Sequence, residues 1–266
     1  MQVIRIWLDE GRQFVAAHPK SVLLTLALLA AYKGNVIQRL WRQIFVFFEV
    51  RLSRRLNSKL RGKKAALFAP LFRPDAAAGE GQPLRIVEIG LGGGSNLDFY
   101  PENAEIIGVD PNPDYLKYLE AEMKTASGRR LKMTRVICAG AEEMDQYLAP
   151  DSADAVVATL VLCSVRDVEA VVANCWRVLR PGGGFYFLHH NRGDPVREPW
   201  KVWCQDWVTP LTFRLGDGCH FNRDPIGVIQ TAGFSSVNFE KYAPSTGSRL
   251  AAFSLVHPFL IGRAVK

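Results

Sequence analysis

Hydrophobic positions change their period along the chain. From Leu84 onward, short apolar runs (LRIVEIG, AEIIGVD, LKMTRVICAG, DAVVATLVL and GGFYFLHH) alternate with helix-like stretches over Pro113–Thr125 and Asp167–Leu179. This alternation predicts a parallel α/β sheet with helices on both faces. Ligands of such sheets sit at the carboxyl ends of the strands. Before Leu84 the pattern differs. Ser21–Tyr32 is an uncharged apolar run of twelve residues, shorter than the roughly 20 that cross a bilayer as a helix. Beyond Gly34-Asn35, the positions Ile37, Leu40, Trp41, Ile44, Phe45, Phe48, Leu52 and Leu56 recur at three- and four-residue steps, with Arg39, Arg42, Glu49, Arg54 and Arg55 between them. That spacing predicts an amphipathic basic helix over Val36–Leu56. Gly62–Gln82 mixes basic residues, prolines and glycines and reads as a connecting segment. The division this implies is an N-terminal segment, 1–75, and a globular domain, 76–266.

Charge sharpens that division. Lys33–Arg73 holds eleven basic residues against the single acid Glu49, a net of +10; residues 1–32 carry +1, so 74–266 carry −4 of the total +7. A basic apolar segment on a mildly acidic body predicts a membrane anchor lying in the headgroup region, and the acidic body argues against nucleic acid as partner. Asp9 and Glu10 stand where a secretory signal would carry positive charge, so no removed signal is expected. The five cysteines are scattered without a C-x-x-C, which predicts neither a disulfide framework nor a zinc site and suits a reducing compartment. Trp200, Trp203 and Trp207 fall at helical spacing and are expected in core or membrane contact.

Candidate chemistry gathers at the strand ends. Glu88-Ile89-Gly90-Leu91-Gly92-Gly93-Gly94-Ser95 follows the first strand as G-x-G-x-G, and Ser95 stands where a dinucleotide fingerprint needs its third glycine. Asp110 ends the second strand, twenty-two residues after Glu88, placed to accept both ribose hydroxyls of an adenosine or to cap the helix that Pro111-Asn112-Pro113 begins. Ala141-Glu142 after the third strand could read an adenine edge. Thr159-Leu160 ends the fourth, and RVLRPGG stops a helix before the fifth.

Together these residues resemble a class I S-adenosylmethionine-dependent methyltransferase. More narrowly, GVDPNPDYLKYL, ATLVLCSV, RVLRPGGGFYF, GDGCHFNR and GRAVK are similar to the membrane-associated methyltransferase-like family whose members methylate alkyl thiols, over about residues 40–266. The resemblance implies a Rossmann-like, seven-stranded, mostly parallel sheet whose last strand is antiparallel, matched to Ala251–His257, with N-terminal membrane-associating helices. It implies S-adenosyl-L-methionine as cofactor. Gly90, Gly92 and Gly94 would pack against its methionine and ribose portions, with Glu88 near its amino group, Asp110 on the ribose, Pro111 beside it, Ala141 and Glu142 around the adenine, and Thr159 and Leu160 beneath the sulfonium. It implies no metal, a small lipophilic thiol as substrate, a membrane surface met through residues 21–64, and residence at the endoplasmic reticulum membrane and lipid droplets with the catalytic domain in the cytosol. Leu91 and Gly93 depart from the family's Cys and Thr, and His189-His190 replaces a Glu-His pair at the end of strand five.

Methyl transfer from a sulfonium is an in-line displacement in which the protein aligns the acceptor and excludes water. A thiol titrating near 8.5 gains from a nearby imidazole. His189, His190 and His220 are the candidate bases, with Asp217 as an orienting acid; Cys163 and Cys219 read as small core residues. The alternatives are methylation of a lipid or quinone hydroxyl or carbon, and a non-catalytic cofactor-binding membrane scaffold.

Overall fold

The structure is a computed structural model describing residues 16–73, 81–102, 104–125, 130–243 and 255–266. The chain divides into two compact units, 1–44 and 45–266. The expected boundary at 75/76 and the signal reading at Asp9 and Glu10 lie outside the described residues.

The second unit is built on seven strands: β1 (Arg85–Ile89), β2 (Glu105–Val109), β3 (Lys132–Ile137), β4 (Ala153–Thr159), β5 (Leu179–His190), β6 (Ser236–Tyr242) and β7 (Phe259–Val265). Their order is β3-β2-β1-β4-β5-β7-β6. All pairings are parallel except those of β7, which runs antiparallel to both β5 and β6. The mostly parallel Rossmann-like sheet is therefore as expected. The antiparallel closing strand begins later than the sequence suggested, at Phe259 after Pro258, and Ala251–Ser254 of the expected segment lie outside the described residues.

Strand β4 (ADAVVAT) is buried at every position, as a central parallel strand covered on both faces requires. One face is covered by α3 (Val168–Val178), whose Val171, Val172, Cys175 and Val178 share a core with Val87, Val156 and Phe185. Asp167 caps α3 by accepting from the Ala170 amide (2.9 Å). The remaining helices are α2 (Leu116–Met123), α4 (Pro199–Leu215) and α5 (Ile226–Thr231).

The other face of the sheet corrects the reading of the N-terminal segment. A single helix, α1, runs from Pro19 to Phe68. Gly34-Asn35 does not break it, and Gly62–Phe68 belongs to it rather than to a linker. From Phe45 on, one set of its apolar positions is spent on the domain's own core, while Phe47, Phe48 and Leu52 stay exposed. Val46 and Val50 are buried against Tyr115, and Leu60, Leu67, Phe68 and Leu71 join Ile86, Tyr100 and Tyr186. Phe68 packs on Tyr100 and Tyr186 at 5.7 and 6.2 Å between ring centroids. Burying a side chain of this size contributes about 1.5–3 kcal/mol, so this part of the helix is docked on the domain, chiefly through residues other than the predicted stripe, of which Leu40, Trp41, Ile44, Phe48 and Leu52 are exposed. The leucines Leu23, Leu24, Leu26, Leu28 and Leu29 are exposed; among the described residues no helix is long and apolar enough to cross a membrane. The N-terminal membrane-associating helices, and contact with a membrane surface through residues 21–64, are withdrawn on these findings. Trp200, Trp203 and Trp207 lie on α4 as spaced but are exposed, outside the core.

Candidate active site

Strand β1 delivers the glycine loop to the carboxyl edge of the sheet. Gly90 turns the chain at φ +65° and Gly94 at φ +82°, a region in which a side chain is strained. A Cβ on Gly90 would lie 2.6 Å from Val161 Cγ2, and one on Gly94 2.9 Å from Leu97 Cδ1. The loop thus lies tight against β4's exit on one side and opens onto a cavity of about 1330 Å³ on the other. Ligand pockets span about 300–1,000 Å³, so there is room for a cofactor and a second small molecule.

Asp110 stands at the end of β2 on the cavity wall, its carboxylate accepting from the Gly92 and Asn112 amides, both at 2.9 Å. Burial, and more weakly the facing Asp217, hold its pKa above the usual carboxylate range despite those amides. Pro111, Ala141, Glu142, Thr159 and Leu160 line the same cavity. Ala141 and Glu142 open a 3-10 turn, Ala141–Gln146, and Asn174 on α3 donates from Nδ2 to both their carbonyls (3.2 and 2.8 Å). The Glu142 carboxylate accepts from the Arg166 amide at 2.5 Å. Leu160 takes φ +57°, a strain of order 1–3 kcal/mol for a residue with a side chain, fixed by its amide's bond to the Leu188 carbonyl (2.6 Å).

Glu88 is placed differently. It is buried beneath the loop and is not among the cavity-lining residues. Asn96 Nδ2 donates to Oε1 (2.7 Å) and the Tyr100 hydroxyl to Oε2 (2.7 Å). Burial raises its pKa to about 7, against the opposing hydrogen bonds and Lys64.

The histidine pair ends β5, and alternation along the strand sends the two rings to opposite faces. His189 is fully buried, with Nδ1 3.1 Å from the His190 carbonyl, Nε2 unpartnered and the ring stacked on Phe187. Burial lowers its pKa to about 4, so it is neutral near pH 7 and presents no group to the cavity. His190 does line the cavity, with Nε2 3.3 Å from Cys219 Sγ and Phe221 edge-on to its ring at 5.2 Å. Asp217, on the cavity wall at φ +52°, accepts from Asn112 Nδ2 (3.3 Å) beside Asp110. The structure therefore brings Asp217 to Asp110 and His190 to the cysteines. His220 sits behind them, its amide and Nδ1 on the Cys163 carbonyl at 2.9 and 3.2 Å.

Residues 87–187 match the family model described as a methyltransferase domain. The human thiol S-methyltransferase TMT1A is 35% identical over 84% of this chain and 86% of its own length. Its human relative TMT1B is 34% identical over 92% of this chain and 95% of its own. The chain belongs to this methyltransferase family. It is an S-adenosyl-L-methionine-dependent methyltransferase. The fold agrees with that of a solved phosphoethanolamine N-methyltransferase 2 from Haemonchus contortus in complex with S-adenosyl-L-methionine, at a TM-score of 0.51 and 16% identity, covering 77% of this chain and 52% of that one. The residues present fit the cofactor: Gly90, Gly92 and Gly94 line the cavity at backbone angles and in packing that admit no side chain at Gly90 and Gly94, and an acid stands at the end of β2 on the same cavity. Belonging to a family of enzymes removes the scaffold alternative. Expected residence at the endoplasmic reticulum and lipid droplets rested on the membrane-associating helices and falls with them.

Several residues of this methyltransferase's site went unnoticed in the sequence. Helix α1 forms a cavity wall with Phe45, Phe48, Glu49, Leu52 and Leu56. Glu49 is held above the usual carboxylate range by burial and meets Tyr115. Lys64, almost wholly buried, donates to Asn96 Oδ1 (2.7 Å) and to Asn57. The basic residues of α1 were read as facing lipid headgroups, and a lysine in a basic run carries no mark of being buried. Asn96, adjacent to the G-x-G-x-G-S run, was the available signal.

Proposed function

We propose that this methyltransferase moves the methyl group to the sulfur of a small thiol carrying an apolar substituent. Bound S-adenosyl-L-methionine supplies an electrophilic methyl group; the rest is alignment and dehydration by the chain. Gly90, Gly92 and Gly94 would admit the cofactor's methionine and ribose portions against bare backbone, and Asp110, flanked by Pro111, would accept from the ribose hydroxyls. Ala141 and Glu142 would border the adenine, with Thr159 and Leu160 beneath the reacting centre. Glu88 acts as a positioning residue, holding Asn96 below the loop. The apolar wall given by Phe45, Phe48 and Leu52 suits a lipophilic acceptor and sheds water from the encounter.

The observation that carries the thiol reading is the full-length similarity to relatives named thiol S-methyltransferases, which includes the cavity-lining segments of α1, β1, β4 and β5. A thiol is ionised in part at neutral pH, so its methylation demands little of the protein. His190 is the imidazole at the cavity wall suited to take the residual proton. His189 keeps the strand packed, and Asp217 keeps the Asn112 turn in place. The test is a methyl-transfer assay on the purified chain with a panel of small thiols, phenols and quinones. Methylation of thiols in preference to the others is expected; turnover of a phenol or quinone with no thiol methylated overturns the reading.

A further inference from the structure

Two sulfurs in the cavity are not used by methyl transfer. Cys219 Sγ lies 3.5 Å from Cys163 Sγ and 3.3 Å from His190 Nε2, and the three ligating atoms fall within 4.8 Å of one another. All three residues line the cavity. The sulfurs come from distant parts of the chain, one on the loop after β4 and the other on the Gly216-Asp217-Gly218-Cys219 turn after α4. Both backbones are fixed. The His220 amide donates to the Cys163 carbonyl, and Thr212 Oγ1 donates to the Cys219 carbonyl, each at 2.9 Å. Gly218 takes φ +83° with the Ser164 carbonyl 3.1 Å from where its Cβ would be, which lets the second turn approach the first.

We propose that Cys163 and Cys219 form a redox-active dithiol at the inner end of the cavity, Cys163 as nucleophile and Cys219 as resolving thiol, reacting with small organic disulfides that enter it. The hydrogen bond from Cys219, with the nearby His190 imidazole, draws the Cys163 thiol well below the ordinary cysteine range, while donating that bond and being buried push Cys219 up. Cys175 gives the contrast: buried in the α3 core, it is pushed up, chiefly by burial, as an inert structural thiol should be. The pair is thus polarised in the sense exchange requires, Cys163 being the more readily ionised sulfur and Cys219 the one that keeps its proton.

The chemistry balances as follows. The Cys163 thiolate attacks one sulfur of R–S–S–R, the S–S bond breaks, and one thiolate leaves, giving Cys163–S–S–R. Cys219, passing its proton to His190 Nε2, then attacks the Cys163 sulfur and expels the second thiolate. The Cys219 proton, relayed by His190, ends on one released thiolate, and the other thiolate takes a proton from water. The small disulfide is reduced to two thiols and the pair is oxidised to one disulfide. Closing the pair asks the sulfurs to approach by about 1.5 Å, from 3.5 Å to the roughly 2.0 Å of a disulfide. The step does not depend on the thiol acceptor reading, since it needs only that a small disulfide reach the cavity.

The experiment is peptide mapping by mass spectrometry, under non-reducing conditions, of the full chain after brief treatment with 2-hydroxyethyl disulfide, then with dithiothreitol. A Cys163–Cys219 cross-linked peptide that dithiothreitol reverses is expected. Cys219→Ser should accumulate the mixed disulfide on Cys163, and Cys163→Ser should leave Cys219 unmodified over the same interval. Both sulfurs remaining reduced while exposed Cys138 is fully modified overturns the proposal, as does a mixed disulfide that persists on wild-type Cys163 or forms first on Cys219. The wild-type map decides the matter if a variant fails to fold. Methyl transfer is measured separately on the reduced enzyme, so failure of the thiol reading leaves a different signature.

Discussion

Replacing His189 with leucine tests whether the fold holds this imidazole neutral. Burial lowers its pKa from 6.5 to about 4. As pH falls, the unfolded chain binds the proton first, so the contribution of His189 to stability is complete above pH 6.5 and is lost progressively down to 4. At about 1.36 kcal/mol per pH unit the whole loss is about 3 kcal/mol, of which about 2 kcal/mol is gone by pH 5. Leucine does not titrate. It forfeits the Nδ1 contact with the His190 carbonyl and removes the unpartnered Nε2, effects of opposite sign, so at pH 7.5 the two proteins should agree within about 1.5 kcal/mol. Urea unfolding at pH 7.5, 6 and 5 measures the comparison, with each stability referred to the variant at the same pH to cancel the other titrating groups. The advantage of the wild type over His189→Leu should shrink by about 2 kcal/mol between pH 7.5 and 5, and turnover at neutral pH should survive. Parallel stability curves would refute the neutral buried imidazole, and loss of turnover with intact stability would return His189 to the catalytic site.

Gly90→Ala forces a Cβ to 2.6 Å from Val161 Cγ2 at φ +65°; strain of about 1–3 kcal/mol should weaken cofactor binding about tenfold by calorimetry, and an unchanged Kd would show the loop can adapt. Asp110→Ala removes the carboxylate at the end of β2 and should weaken the cofactor by about 1.5–3 kcal/mol, again read as a dissociation constant. His190→Ala should lower thiol turnover by about 10²-fold, the low end of general-base catalysis, whereas an unaltered pH–rate curve would mean the thiolate arrives ionised from solution. A chain starting at Leu84 loses the buried Val46, Val50, Leu60, Leu67, Phe68 and Leu71, each worth about 1.5–3 kcal/mol, together comparable to an entire domain stability of about 5–15 kcal/mol. It should show no cooperative melt, while a chain starting at Phe45 keeps one.

What was legible in the sequence divides by the range of the interaction. The strand ends were readable because their requirements are local: Gly90 and Gly94 must take positive φ next to a strand exit, and Asp110 follows its own strand directly. The parallel sheet followed from alternation, since a parallel pair needs its crossover, whereas the count of seven strands came from the family resemblance. Helix α1 was misread for a physical reason. The stripe read over Val36–Leu56 is for the most part not the face that docks: Leu40, Trp41, Ile44, Phe48 and Leu52 are exposed, while Val46, Leu60 and Phe68, outside that stripe, find their partners in Tyr115, Ile86 and Tyr100, whose proximity no spacing within the helix announces. The same holds for Cys163 and Cys219, 56 residues apart, which looked like ordinary small core residues when taken singly. His189 and His190 were rightly located at the strand end, but a dipeptide in a strand cannot present both rings to one cavity.

The polar groups beneath the glycine loop explain why α1 belongs to the site and not only to the fold. Lys64 reaches Asn96 Oδ1 at 2.7 Å, and Asn57, two turns earlier on the same helix face, meets both Lys64 and the Ser95 carbonyl. Burial brings Lys64 down to about 8 and Glu88 up to about 7. The Glu88 contribution to stability falls as pH rises from 4.5 to 7, and that of Lys64 recovers only as pH rises from 8 to 10.5. Near neutrality, therefore, this network holds its charges at a cost in stability, as buried ion pairs commonly do. Its return is geometric. With its oxygen taken by Lys64, the Asn96 amide must point its Nδ2 at Glu88 Oε1 (2.7 Å) and Thr159 Oγ1 (2.8 Å). That one side chain thereby ties together α1, the glycine loop and the ends of β1 and β4. Removing Lys64 alone would leave Glu88 buried without its counter-charge and Asn96 free to turn, so loss of the helix and loss of the cofactor cradle are the same event.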